Sequence, residues 1–206
     1  MKPFETFLAT SQQEMKGAGV KISMPEETHV PLIGSGLMCN GYFDDDPELI
    51  FACGIGKPIE QWMPIYVHEY GHFTQWRDKI PEWAGVTIDG LHYDDFIEKW
   101  LEQGKNFPQY KVNRFIDASI VIEADCERRA IELIKKYNLP IDPLVYAQTA
   151  NSYVHFYNYI KCNRVWYTPG KEPYKIKEVY SQFNTTMDSE FQISYEYNDL
   201  FKKYCI

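Results

Sequence analysis

PIEQWMPIYVHEYGHFTQW, residues 58–76, is the stretch from which the rest of the chain is read. Pro58 suits the first position of a helix, Glu60 sets a negative charge at the positive helix start, and the apolar residues that follow recur at helical spacing. Pro64 predicts a late start or a kink, and a stop is expected between Asp78 and Pro81. Inside this helix, residues 68–72 read His-Glu-Tyr-Gly-His. Two imidazoles four residues apart project from one helix face about one turn apart, close enough to share a zinc ion with bonds of roughly 2.0 to 2.1 Å. Glu69, beside the first histidine, is placed to reach a water at the metal without ligating the ion, and to take its proton as the water attacks a carbonyl. An amphipathic helix carrying two histidines by coincidence is the weaker reading in a chain of 206 residues with 5 histidines.

A catalytic zinc needs a third protein ligand and an open fourth position. Asp78 would complete an HExxHxxGxxD pattern, but that pattern turns the chain at a glycine where Gln75 stands, so Asp78 is expected to point away. Asp89 and His92, in the loop-like GVTIDGLHY, have the reach, but nothing local fixes their direction. A long helix is expected from Asn113 to Tyr137, with Ile116, Ile120, Glu123, Glu127, Ala130 and Ile134 along one stripe. Two carboxylates on a core-facing stripe are costly unless a cation or a donor meets them. One turn apart, they can divide the labour, one ligating zinc, with Glu123 the better candidate, and the other, Glu127 on that reading, holding the free N–H of a ligating imidazole. The alternative is an ordinary ion-pair network in which Arg128 or Arg129 neutralises both.

Upstream, Val20, Ile22 and Met24 alternate with polar neighbours, and Glu48 to Cys53 is a short β-prone run. Gly34, Gly36 and the cluster Asp44-Asp45-Asp46-Pro47 signal turns, the acidic triplet reading as a solvated turn and not a calcium loop. Downstream, a short helix is expected over Tyr93–Gln103 and another helix from Pro143 to about Arg164, and the Tyr-rich final stretch has no assignable pattern. The second of those helices offers Tyr153, His155, Tyr157 and Arg164 as donors to a developing oxyanion, Tyr153 and His155 first, although tyrosine in this chain is more often a packing residue. The fold class expected is α+β: a single domain over 1–206, strand-rich over 1–57 and helical over 58–206, with a small N-terminal sheet packed on a mainly helical body.

Composition narrows the function. With 29 acidic against 21 basic residues the formal charge is −8, which disfavours nucleic acid as a partner. Five scattered cysteines without a CxxC pair point to a reducing, cytoplasmic setting, and no apolar run of membrane-spanning length argues against a membrane. Oligomeric state is not legible.

On these motifs the chain resembles the zincins, and within them the glutamate-ligand branch, the gluzincins, in which HExxH on one helix is joined by Glu-x-x-x-Asp on another. Glu123-Ala-Asp-Cys-Glu127 matches that second motif with Glu in place of Asp, leaving open which glutamate is the ligand. It is also similar to small metallopeptidases that cleave repressor proteins, in which a small residue such as Ala130 follows the acidic motif. The runs HEYGHFTQW, EADCERRAIELIKKYNL and NSYVHFYNYIKCNRVWY resemble HExxH proteins found in tailed bacteriophages. The resemblance implies a zincin-like fold, Zn2+ as cofactor, a protein or peptide substrate, and peptide hydrolysis with Glu69 activating the water. It also implies an edge strand beside the active-site helix, for which Glu48 to Cys53 is the candidate. The alternative function is a catalytically inactive zincin-fold module that binds a partner protein around a retained or structural zinc.

Overall fold

The computed structural model describes residues 2–33, 38–46, 48–84, 87–92 and 96–206. Its elements are α1 (Pro3–Gly17), β1 (Lys21–Ser23), β2 (Val30–Pro31), β3 (Met38–Cys39), β4 (Gly41–Asp44), β5 (Ile50–Cys53), α2 (Ile59–Asp78), α3 (Pro81–Ala84), β6 (Thr87–Ile88), β7 (Leu91–His92), a π-helical turn (Glu98–Glu102), α4 (Gln109–Tyr137), α5 (Pro143–Asn163), a 3-10 turn (Pro173–Lys175), α6 (Lys177–Tyr180) and α7 (Tyr195–Tyr204). The fold is α+β. The chain divides into two compact units: Met1–Lys79 with Cys126–Pro143, and Ile80–Asp125 with Leu144–Ile206. The turn expected at Gly34 and Gly36, Pro47, and the start of the expected helix at Tyr93 lie outside the described residues.

In the first unit a three-stranded sheet has the order β1-β5-β4, with β1 parallel and β4 antiparallel to β5. The Glu48–Cys53 run is therefore central, not the edge expected, and the edge beside α2 belongs to β4. Burial agrees, since Phe51, Ala52 and Cys53 are all buried, as a strand covered on both sides requires. Within the 1–57 stretch expected to be strand-rich, Pro3–Gly17 forms a helix. Pro3 opens it, Glu5 accepts the Lys2 N–H at 2.8 Å, and Phe7, Ser11 and Met15 are its buried residues. Phe7 meets the rings of Tyr66, Tyr70 and Tyr137, and Ser11 shares a 2.7 Å hydrogen bond with the Tyr66 hydroxyl. Helix α2 accommodates Pro64 and closes on Lys79 in the left-handed region (φ 53°), whose N–H caps the carbonyls of Gln75 and Trp76.

The second unit is built from stacked rings: Phe96 lies 4.3 Å from Phe115, and Phe156 lies 5.1 Å edge-on to Phe201. The segment expected to be helical up to Gln103 loosens into the π-helical turn at Glu98–Glu102. Within the final stretch that resisted assignment, α6 and α7 flank residues 181–191, which have no helix or strand of their own. Their carbonyls are taken by side chains of α5: Gln148 donates to Phe183 O (3.0 Å), Asn151 to Asn184 O (3.0 Å) and Thr186 O (2.8 Å), and Asn158 to Phe191 O (3.1 Å). In the middle, the His155 Nε2–H donates to Asp188 at 2.9 Å amid the rings of Phe183, Phe191 and Tyr197. No helix among the described residues is long and apolar enough to cross a membrane.

His155 Nδ1 is buried with no hydrogen-bond partner among the described residues, so a proton there would be an unsatisfied donor. Burial accordingly holds the imidazole below its ordinary pKa, with Asp188 pulling the other way. The unfolded chain then binds the extra proton first, so this contribution to stability is full above pH about 6.5 and is lost as pH falls toward the lowered folded value, at up to about 1.4 kcal/mol per pH unit. Denaturant titrations at neutral and mildly acidic pH should show wild type losing more stability than His155→Gln; equal losses would remove His155 as the cause.

Candidate metal centre

Helix α2 delivers His68 and His72 to one face with ring centroids 4.7 Å apart and Nε2 atoms 3.2 Å apart. Each ring is held from behind. The His68 Nδ1–H donates to the Glu127 carboxylate at 3.1 Å, and the His72 Nδ1–H donates to the Gln75 amide oxygen at 2.9 Å. A ring that gives its only proton at Nδ1 presents a lone pair at Nε2. Two such lone pairs facing each other at 3.2 Å repel unless a cation lies between them. Two nitrogens bonded to one zinc at about 2.0 to 2.1 Å in tetrahedral geometry stand about 3.3 to 3.4 Å apart, so the observed separation fits the ion.

The electrostatics have the same shape. Burial disfavours charge on His68, but Cys126 and Glu127 outweigh it and raise the pKa well above the ordinary value. Burial and the neighbouring His68 charge push His72 down to about 3. The pair thus takes one proton and not two, on His68, in the place a metal ion shared by both nitrogens would occupy. Glu127 is 5% exposed, and its Oε2 is buried without a hydrogen-bond partner among the described residues, a carboxylate that belongs near a cation. Arg129 bonds Thr74 (3.2 Å) and Asp78 (2.7 Å).

Glu69 is buried on the same helix at 8% exposure. Burial lifts its carboxyl above the usual range, with the His68 charge and the Phe43 backbone N–H pulling it down and Glu127 adding to the rise. Phe43 lies in β4, so the carboxylate between the two histidines reaches the edge strand of the sheet.

A tight helix contact sets the spacing. A Cβ on Gly71 would stand 2.7 Å from Cys126 Sγ and 3.2 Å from its carbonyl oxygen. The absent side chain lets α4 approach α2 closely enough for the Cys126 thiol to donate to His68 O at 3.1 Å and for Glu127 to meet His68. Cys126 was not among the candidate ligands read from sequence; it forms a group with His68 and His72 whose ligand atoms lie within 4.8 Å. Its sulfur lies 3.7 Å from His68 Nδ1, the nitrogen held by Glu127, and so supports the ring from behind.

The remaining sequence candidates divide between the units. Asp78 is paired with Arg77 and Arg129. Glu123 belongs to the second unit, where the Tyr157 hydroxyl donates to it at 3.4 Å and shares a 2.9 Å bond with the Tyr153 hydroxyl. Asp89, at φ 52°, pairs with Lys111 at 3.0 Å. Arg164 bonds the carbonyls of Trp100 and Lys105, and His155 belongs to the α5 ladder with Asp188. The side chain of His92 lies outside the described residues.

Alanine at Gly71 should be destabilising by about 1–3 kcal/mol, against its better helix propensity, because the new methyl overfills the contact. Removing the sulfur in Gly71→Ala/Cys126→Ala should recover part of that loss in denaturant unfolding. A Gly71→Ala chain as stable as wild type would mean that the helices are not held at this distance.

No protein-family model matches the chain, and neither a curated protein nor a solved structure matches it.

Proposed function

We propose that this chain is a zinc-dependent metallopeptidase of the zincin type, hydrolysing peptide bonds in a protein or peptide substrate. The observation that carries the reading is the pair of Nε2 atoms 3.2 Å apart, each turned forward by a partner on its Nδ1. His68 and His72 would hold the ion. The third ligand is assigned to Glu123 by helix repeat alone, one turn before Glu127 on α4. Bound there, zinc supplies a water of lowered pKa and a Lewis acid for the scissile carbonyl.

The chain's own residues do the rest. Glu69, buried and with its carboxyl raised above the usual range, would take the water's proton and deliver it to the leaving amine. Glu127 keeps the His68 ring oriented and offsets the positive charge behind it. The zincin-like arrangement is supported by a small sheet preceding the helix whose edge strand, β4, runs antiparallel to its neighbour and reaches Glu69 through Phe43. An extended peptide can add to such an edge.

Glu69→Gln should lower hydrolysis of a fluorescence-quenched peptide library by about 10²- to 10⁴-fold while retaining zinc, read by elemental analysis. A variant as active as wild type would sink the peptidase mechanism, and a zinc-loaded pair equally inactive would favour a binding module. Glu123→Ala should lose most of its zinc; a fully loaded variant would put the third ligand elsewhere.

A further inference from the structure

Gln75 stands where the extended zincin pattern has a turning glycine, and the helix instead runs on to Asp78. Side chains on a helix lean toward its N-terminus, so a residue three positions beyond His72 lies over the turn that carries that ring. Gln75 is 0% exposed, and its amide oxygen accepts the His72 Nδ1–H at 2.9 Å. A primary amide taken wholly out of water costs free energy unless its polar atoms are bonded, so a purely space-filling role would be better served by leucine.

We propose that Gln75 is a positioning residue of the metal centre: by accepting the His72 Nδ1–H it fixes the tautomer and rotation that present Nε2 to the ion, as Glu127 does for His68. The assignment rests on the zinc reading above. It adds an asymmetry. A carboxylate behind an imidazole makes it a stronger donor than a neutral amide does, so His68 and His72 are unequal ligands, and the centre carries one negative charge fewer than two carboxylate partners would give it. The anchor comes from α2 itself, so His72 is oriented by its own helix while His68 depends on α4.

The test is zinc affinity measured by competition with a chromophoric chelator, together with the visible spectrum of the cobalt-substituted chain. Gln75→Leu keeps the volume and removes the acceptor, and should bind zinc about 10- to 100-fold more weakly with an altered cobalt spectrum. Gln75→Glu keeps an acceptor at the same reach and should bind at least as tightly as wild type. Equal affinity of Gln75→Leu and wild type, or equal weakening of both variants, overturns the assignment. Should Gln75→Leu fail to fold, long-range ¹H–¹⁵N spectra of the zinc-loaded wild type decide: a proton on His72 Nδ1 upholds the role, and a proton on Nε2 overturns it. A wild-type chain that takes up no zinc overturns the metal centre and this assignment with it, whereas the failures above strike Gln75 alone.

Discussion

The missing side chain of Gly71 is the constraint on which the first unit turns. Helices packed through ordinary side chains keep their axes about 8 to 10 Å apart, and a glycine at the crossing lets backbone approach backbone. Here the space is filled by Cys126, whose sulfur reaches the His68 carbonyl, and the next residue on α4, Glu127, thereby meets the His68 ring. The orientation of one histidine is thus decided by an atom absent three residues further along the same helix. Position 71 is one of the two variable letters of the HExxH pattern, yet in this chain it is held by sterics as firmly as the histidines are by chemistry.

Buried polarity in the first unit is concentrated where it has a use. Glu69, Glu127 and Gln75 are all buried within a turn or two of the histidine pair, and each would cost a few kcal/mol in apolar surroundings without partners. A proton shared between the imidazoles satisfies part of this set, and a divalent ion satisfies more, since it offers two positive charges where Glu69 and Glu127 bring two negative ones. The raised Glu69 carboxyl and the depressed His72 share one leading cause, burial, with the His68 charge adding to the depression of His72 and opposing the rise of Glu69.

Legibility in the sequence followed the range of the interactions. The helices carrying HExxH and the two glutamates declared themselves through periodicity and end signals, because helix formation is local: Pro58 and Lys79 bound α2, and α4 starts at Gln109, just past Pro108 and ahead of the expected Asn113. The Glu127 partnership with His68 was readable because two acids on a core stripe demand an explanation. Strand order was not, since β1, β4 and β5 are three or four residues long and nothing in four residues says which neighbour lies on either side. Helix α1 was masked by Ser11, a polar residue in the middle of its buried stripe, whose hydroxyl is satisfied by the distant Tyr66. Gln75 was read as a break in a pattern, because a tautomer-fixing acceptor has no signature beyond its spacing from a histidine.

The C-terminal stretch shows the same limit from the other side. Secondary structure is readable when a segment satisfies its own backbone, and residues 181–191 do not: their carbonyls are met by amides at Gln148, Asn151 and Asn158 on α5, with His155 holding Asp188 among them. The signal therefore sits on the partner. Helix α5 is buried nearly all round, and a buried helix with amides and a histidine spaced three and four residues apart must be bonding something that lacks donors of its own. Read that way, His155 is accounted for by what it holds in place, whereas the need for an oxyanion donor had made it a candidate catalyst. Buried acids, amides and imidazoles on the stripes of α2 and α5 show two arrangements: gathered around a charge, as at His68 and His72, or spread along a helix to carry a strand of irregular backbone. What separates the two is clustering against periodicity.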